Sequence, residues 1–182
     1  MSRPLGSTEL KRLHREWRRR TEGRVSLLLD GVQKPYNVGA IVRSAAAFGV
    51  DHLWLAGHVP PPDDPKVART ALGSERFVPW TSFDAAGPAL DAAHGDGYRI
   101  VGIELAEGST PLHDADLDAD VCLVMGHEDR GLSREALAGC DQLAYIPQLG
   151  RIGSLNVATA TAVALYEARR RAWEEDPGAP AT

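Results

Sequence analysis

The chain has 182 residues, of which 43% are hydrophobic, and this composition suits a single domain with a core of ordinary size. Its formal net charge of −5 argues against a protein that coats nucleic acid without specificity, its two cysteines are too few for a disulfide framework, and its six histidines lack the spacing of metal ligands. No apolar run approaches the ~20 residues that span a bilayer, and the N-terminus has no apolar leader, so we expect a cytoplasmic protein with no membrane segment. The spacing of the histidines gives no reason to expect a metal site.

The first predicted element is a basic helix within an N-terminal extension, residues 1–24. Leu10, Leu13 and Trp17 recur at helical spacing and predict an amphipathic helix over residues 8–20. The other face of this helix is rich in arginine, and a second basic run, residues 169–171, ends the last predicted helix. Either cluster could bind phosphate groups, and a solvated helix face is an equally good interpretation. The candidate phosphate contacts on the first helix are Arg12, Arg15 and Arg19.

Strands and helices alternate through the remaining domain, residues 25–173. We predict strands at residues 25–29, 52–56, 77–80, 98–105, 121–125 and 143–146, with the third at a sheet edge. Helices are predicted at residues 37–48, 66–71, 83–94 and 154–173. Such alternation is typical of an α/β fold, a mainly parallel sheet with helices on both faces. The tail, residues 174–182, is rich in proline and alanine and is predicted to be disordered.

Two predicted strands run into loops that contain paired glycines. Gly126 and Gly131 follow one strand, and Gly150 and Gly153 follow the other. Open α/β sheets bind ligands at the carboxyl ends of their strands, and glycine lets the backbone approach a ligand or adopt a positive φ. The alternative is that the four glycines only form tight turns. Because they flank what we take to be adjacent strand ends, a pocket is favoured. The GxGxxG and GxxxxGK[ST] fingerprints are absent, so backbone groups are expected to hold the ligand.

Arg43 is a charge on a predicted helix made otherwise of small and apolar residues. A charge in that position must reach solvent, pair with an acid or take part in function. Asn37 is at the start of the same helix, where an ordinary N-cap is the alternative to a functional role. It is six residues from Arg43, so the two are expected within one or two turns of a common face. Glu128, in one of the glycine loops, is the natural acidic partner, so a structural Arg–Glu pair is the alternative to a functional arginine.

Three segments share a pattern of apolar run, glycine and charged residue: 37–44, 123–133 and 146–157. In this order they resemble the three motifs of the SpoU/TrmH family of RNA ribose 2′-O-methyltransferases, in the SPOUT superfamily. The resemblance extends over residues 27–172. It implies a SPOUT fold with a C-terminal trefoil knot, and a homodimer in which the neighbouring subunit completes each active site.

The resemblance also implies a cofactor, S-adenosyl-L-methionine, with S-adenosyl-L-homocysteine as the product. Gly126, Ile146 and Leu155 match positions whose backbones hold the adenosine part of the cofactor. The full set of expected cofactor-binding residues is Leu105, Met125, Gly126, His127, Gly131, Ile146, Pro147, Ser154 and Leu155.

Catalytic roles are implied by the resemblance for Asn37, Arg43, Glu128 and Asn156. Arginine stays protonated in proteins, so Arg43 is expected to polarise or orient the ribose 2′-hydroxyl rather than to accept its proton. Alignment of the two reactants can account for much of the barrier reduction. Arg43 is also an expected RNA contact, together with the three arginines of the first helix.

Transfer RNA is the favoured substrate, because only a basic helix precedes the catalytic domain. Residues 69–75 also resemble the branch that modifies a tRNA guanosine of the D-loop type. Ribosomal RNA is the alternative. A non-catalytic RNA-binding factor is disfavoured because all four catalytic candidates are present. An enzyme that methylates a small molecule is disfavoured by the flanking arginines.

Overall fold

The computed structural model describes residues 3–174, so most of the predicted disordered tail lies outside the described residues. Within that range the helices are α1 (Ser7–Arg20), α2 (Pro35–Phe48), α3 (Pro65–Ala71), α4 (Ala86–Gly95), α5 (Arg134–Gly139) and α6 (Val157–Glu174). The strands are β1 (Val25–Asp30), β2 (Leu53–Ala56), β3 (Trp80–Phe83), β4 (Arg99–Ile103), β5 (Thr110–Pro111), β6 (Val121–Met125) and β7 (Gln142–Tyr145). Short 3₁₀ helices occupy Ser74–Phe77 and Leu112–Asp114.

All the described strands join one parallel sheet in the order β3-β2-β1-β6-β4-β7-β5. Alternate residues of each central strand face opposite sides, so that Leu27 and Leu123 join one core cluster and Leu28 and Val124 the other. The first cluster is covered by α2, α3 and α6, and the second by α4 and α5. The predicted α/β class, with helices on both faces of a mainly parallel sheet, is confirmed.

Several predicted boundaries are displaced. The edge strand begins at Trp80, which pairs with Leu53 of β2, and Phe77, where it was predicted to begin, is the last residue of the Ser74–Phe77 3₁₀ helix. The next helix begins only at Ala86, because Phe83 still pairs with Ala56 in the sheet. The last helix begins at Val157 rather than at residue 154.

The start of α2 also differs from the prediction. Pro35 occupies the first turn, where its fixed φ and missing N–H are tolerated, and Lys34 is the N-cap residue. Asn37 therefore lies inside the first turn, and the interpretation of Asn37 as an N-cap is wrong. The predicted end of the helix is confirmed, since Gly49 adopts a left-handed conformation with φ 63°.

Helix α1 lies on the outside of the domain, and none of its residues is buried. The Trp17 ring packs against Trp173 of α6 at 5.2 Å between centroids, and the Trp173 indole donates to the Thr21 hydroxyl. These contacts fix the end of the helix, while Arg12, Arg15 and Arg19 are exposed. In the described part of the chain no helix is both long and apolar enough to cross a membrane.

The arginine run near the end of α6 has partners inside the protein. Arg169 is only 6% exposed. Its guanidinium donates to the carbonyl oxygens of Phe48, Gly49 and Gly23. Arg170 and Arg171 form ion pairs with Glu167, and Arg171 forms another with Asp118. Neither interpretation from the sequence describes this run, because its arginines stabilise the fold.

Candidate functional site

A cleft of about 400 Å³ opens at the carboxyl ends of β4, β6 and β7. Its volume falls within the range of small-molecule sites, about 300–1,000 Å³. The residues with predicted roles that line it are Leu105, Met125, Gly126, His127, Glu128, Gly131, Ile146, Ser154 and Leu155. Pro147, Asn37, Arg43 and Asn156 do not line it. Because β4 lies between β6 and β7, the two glycine loops do not follow adjacent strands, and that expectation is wrong.

Two of the four loop glycines are required by the structure itself. A Cβ at Gly126 would overlap the backbone of Gly131 and Leu132, and Gly131 adopts φ 67°. Gly150 and Gly153 have neither a positive φ nor a close neighbour among the described residues. The tight-turn interpretation therefore applies to the first pair, whereas the second pair leaves open space beside the cleft.

Glu104 lines the cleft and was not singled out from the sequence. Its carboxylate accepts hydrogen bonds from the backbone N–H groups of Leu132 at 3.0 Å and Leu105 at 3.2 Å. A Cβ at Gly131 would overlap this carboxylate. Glu104 thus holds the base of the 126–132 loop. The available sequence signal was an acidic residue near the end of a mainly apolar predicted strand, residues 98–105.

A chain of hydrogen bonds joins the three sequence motifs beside the cleft. Asn156 Nδ2 donates to Asn37 Oδ1 at 3.0 Å, and Asn37 Nδ2 donates to Glu128 Oε1 at 2.9 Å. Glu128 also accepts hydrogen bonds from the backbone N–H groups of Lys34 and Gln33. Asn37, at the centre of the network, is only 3% exposed, whereas Glu128 is partly exposed and Asn156 is exposed.

The direction of each bond in the network follows from chemistry. An ionised carboxylate can only accept hydrogen bonds, so the Asn37 amide nitrogen must face Glu128 and its oxygen must face Asn156. The Asn156 oxygen is then free to accept from the backbone N–H groups of Ala158 and Thr159. In this way Asn156 caps α6 and explains why that helix starts at Val157.

The network also sets the charge of Glu128. Partial burial by itself raises the pKa of this carboxyl group. The hydrogen bonds from Asn37 and from backbone amides outweigh burial and lower the pKa to about 2. Glu128 is therefore anionic at neutral pH.

Arg43 lies apart from this network. It is exposed, and it forms no hydrogen bond or ion pair with any described residue. The proposed structural pair between Arg43 and Glu128 is wrong, because Asn37 and backbone amides take up the glutamate. The expected common face is also wrong, since Asn37 points into the protein and Arg43 points outward.

A larger cleft, of about 580 Å³, lies at the opposite end of the strands, near their amino ends. It is lined by Arg19, Arg169, Asp118 and Asp120, close to the starts of β1 and β6. Several of its charges are already paired, Arg24 with Asp120 and Arg171 with Asp118. Parallel sheets bind ligands at the other ends of their strands, so the smaller cleft is the better candidate site.

The model of the SpoU rRNA Methylase family matches residues 24–166. The 23S rRNA (guanosine-2′-O-)-methyltransferase RlmB of Coxiella burnetii is 37% identical over 80% of this chain and 58% of its own length. The tRNA (guanosine(18)-2′-O)-methyltransferase of Escherichia coli is 33% identical over 81% of this chain and 63% of its own length.

A solved structure matches over a similar range. The AdoMet-bound rRNA methyltransferase from Sinorhizobium meliloti superimposes with a TM-score of 0.77 at 35% identity, over 82% of this chain and 57% of the other. The chain thus spans little more than half the length of these curated and solved relatives.

Proposed function

The chain belongs to the SpoU rRNA methylase family, as its three motifs predicted, and on that premise we propose that it methylates a ribose 2′-hydroxyl of RNA with S-adenosyl-L-methionine. The observation that carries this proposal is the network Asn156–Asn37–Glu128. It connects all three motifs at the edge of the glycine-lined cleft, which is the arrangement expected of one shared site.

The cleft suits the proposed cofactor. Leu105, Met125, Ile146 and Leu155 supply an apolar lining for a nucleoside, and the glycine loops leave backbone groups accessible. We propose that the cofactor is held by the predicted cofactor-binding residues that line the cleft. Pro147, which also belongs to the predicted set, does not line the cleft but follows Ile146, which does. When bound, S-adenosyl-L-methionine supplies an electrophilic methyl group and leaves as S-adenosyl-L-homocysteine.

Asn37, Glu128 and Asn156 act in this proposal as positioning residues. All their hydrogen-bonding contacts are used to join α2, the 126–132 loop and the start of α6. A polar network is rigid when every member has its hydrogen-bond partners, and the member at the centre of this one, Asn37, is buried. The network would hold the cofactor cleft in a fixed relation to α2, which carries Arg43.

Arg43 is proposed to polarise the ribose 2′-hydroxyl and to contact RNA. Its guanidinium has all its donors available, because no described residue uses them. Arg43 does not line the cleft of its own chain, and this supports the further proposal of a homodimer in which each cleft is completed by the neighbouring subunit. The C-terminal trefoil knot and the cytoplasmic location stay predictions.

Transfer RNA is proposed as the substrate, with a D-loop guanosine as the target. The match to the E. coli tRNA enzyme supports this choice, as do residues 69–75. Ribosomal RNA is the second candidate, since the RlmB relative is matched at slightly higher identity. The exposed Arg12, Arg15 and Arg19 of α1 are proposed to contact the phosphate backbone in either case.

The test is methyl transfer from labelled S-adenosyl-L-methionine to purified tRNA and ribosomal RNA in parallel, with nuclease mapping of the labelled nucleotide. A 2′-O-methylguanosine in tRNA is the expected result. Label only in ribosomal RNA would establish the second candidate, and no label in either RNA would overturn the proposed activity.

The proposed dimer has its own test. Inactive Arg43→Ala protein is mixed and refolded with a protein whose cleft is filled by Gly153→Trp, at a lining glycine that has open space around it. If each site uses two subunits, mixed dimers regain activity because one of their two sites is intact. No recovery in a preparation shown to contain mixed dimers would contradict the shared site.

A further inference from the structure

The surface around Arg43 extends onto the neighbouring segment, residues 65–77, and the position of that segment depends on Gly39. A Cβ at Gly39 would lie 2.5 Å from the Val67 carbonyl oxygen and 2.7 Å from Thr70 Cβ. Glycine therefore lets α3 pack directly against α2, and the Ser74–Phe77 3₁₀ helix also contacts α2. Residues 65–77 are in this way fixed beside the helix that carries Arg43.

Tyr36 shares the exposed face of α2 with Arg43. The two residues are seven positions apart, which is just under two helical turns, or about 10.5 Å along the axis. The Tyr36 side chain is 71% exposed, and the small residue Ala40 lies between the two on the same face. A flat ring and a guanidinium therefore face solvent along one line.

The neighbouring segment adds further exposed apolar groups. Phe77 is 66% exposed, and the Arg76 guanidinium lies over its ring at 5.0 Å from the centroid. Leu72 is 68% exposed with φ 54°, the single positive φ of a non-glycine residue in the described range. This conformation ends α3, where the Leu72 N–H donates to the Ala68 carbonyl oxygen.

The charge of this region is positive. Arg43, Arg69 and Arg76 form no hydrogen bonds or ion pairs with other described residues. Between residues 65 and 77 the chain carries one carboxylate, Glu75, against Lys66 and the two arginines. Unpaired guanidinium groups beside exposed rings are a combination that suits a polyanion with flat bases.

We propose that Tyr36, Arg43, Arg69, Leu72, Arg76 and Phe77 form an RNA-binding surface on which unpaired bases of the substrate stack. We name it the aromatic–arginine surface. Bases of single-stranded RNA stack on aromatic rings and on guanidinium planes, while arginines contact the phosphates. The positive charge favours RNA over a protein partner, for which the exposed apolar groups alone would be sufficient. This inference rests on the proposed function, and it adds a substrate surface distinct from α1.

The first test compares ring and non-ring side chains. Tyr36→Leu and Phe77→Leu keep apolar volume and remove the ring, and Tyr36→Phe is the matched control that keeps it. Purified total tRNA and ribosomal RNA are the probes, and each leucine variant should raise the KM for RNA about 5- to 20-fold. This increase corresponds to the lower part of the range of free energies lost when one base–aromatic stack is removed. Tyr36→Phe should behave as wild type, and Phe77→Leu should leave kcat almost unchanged.

The second test measures the salt dependence of RNA affinity by filter binding. Arg69→Gln and Arg76→Gln should each reduce the slope of log K against log salt by about 0.7, the value for one lost contact to single-stranded phosphate. Arg134→Gln removes the same charge from α5, on the opposite face of the sheet, and should leave the slope unchanged.

Three results would overturn the inference. They are an unchanged RNA affinity in both leucine variants, an equal loss in Tyr36→Phe, and a change in oligomeric state by sedimentation with RNA affinity intact. The last would assign the surface to a second copy of the chain. Failure of the proposed function is distinguishable, because wild-type protein would then label no RNA, whereas filter binding would still report on the surface.

Discussion

Two arginines that contact or lie on helix α2 have opposite environments. Arg169 reaches α2 from α6, is buried, and donates to three backbone carbonyl oxygens. Arg43 belongs to α2 itself, is exposed, and has no partner among the described residues. In the sequence both are basic residues within helical segments. The difference shows that a guanidinium whose donors are used internally stabilises the fold, whereas one with free donors is available to a ligand.

The contacts of Arg169 also explain how α2 is held. Phe48 and Gly49 are at the carboxyl end of α2, where the last carbonyl groups lack helical partners and a cation is favourable. At the other end of the same helix, Asn156 donates to Asn37. The start of α6 thus contacts the start of α2, and the end contacts the end. The two helices run in the same direction and are joined at both ends, so the exposed face with Arg43 is fixed.

The largest expected effect is on catalysis. Arg43→Ala should lower kcat about 100- to 1,000-fold, the usual loss when one electrostatic group at a reacting centre is removed. Its free energy of unfolding should change by no more than about 0.5 kcal/mol, because the side chain is exposed. Methyl-transfer kinetics, calorimetric titration of S-adenosyl-L-methionine and thermal unfolding measure the three quantities. Loss of both stability and cofactor binding would make Arg43 a structural residue like Arg169.

Substitution of the buried arginine, Arg169, should affect stability rather than catalysis. Arg169→Met leaves three carbonyl groups without their donor, and we expect a loss of about 3 kcal/mol in the free energy of unfolding. This corresponds to a decrease in Tm of about 6–12 °C for a chain of this size. Arg170→Met is the matched control, because its partly exposed pair with Glu167 should contribute no more than about 1 kcal/mol. Equal effects of the two substitutions would contradict the distinction.

Substitutions in the network Asn156–Asn37–Glu128, at the starts of α2 and α6, should have effects of intermediate size on stability, since the network supports both the fold and the site. Asn37→Ala and Asn156→Ala each remove one member of a continuous chain of hydrogen bonds. In a double-mutant cycle on unfolding we expect a coupling of about 1 kcal/mol, as is usual for directly bonded side chains. Additive effects on stability, with a large loss of kcat, would instead indicate that these side chains touch the substrate.

Much of the fold was predictable because its signals are local. The apolar strands and the glycine that ends α2 are read from neighbouring residues, and both were predicted. The position of Asn37 was not, because Pro35 starts the helix two residues earlier. The partners of Arg169 lie about 120 residues away in the chain, and Glu104 contacts a loop 28 residues later, so no local pattern could reveal them. The motifs predicted most of the residues that line the cleft, and the structure places Asn37 and Asn156 in the network beside it and Arg43 apart from both.

The smallest expected effect concerns Glu128, a charge satisfied internally like Arg169. Its pKa falls from an ordinary 4.5 to about 2 in the folded protein. A carboxyl group with a depressed folded pKa stabilises the protein fully above the unfolded value, and this contribution is lost as the pH falls from 4.5 towards 2. Since Glu128 is partly exposed, solvent screening reduces the expected contribution to about 1 kcal/mol. Urea unfolding at several pH values should therefore show a difference between wild type and Glu128→Gln at pH 6 that shrinks across this interval. A difference that stays constant down to pH 2 would mean that the side chain acts by shape rather than by charge.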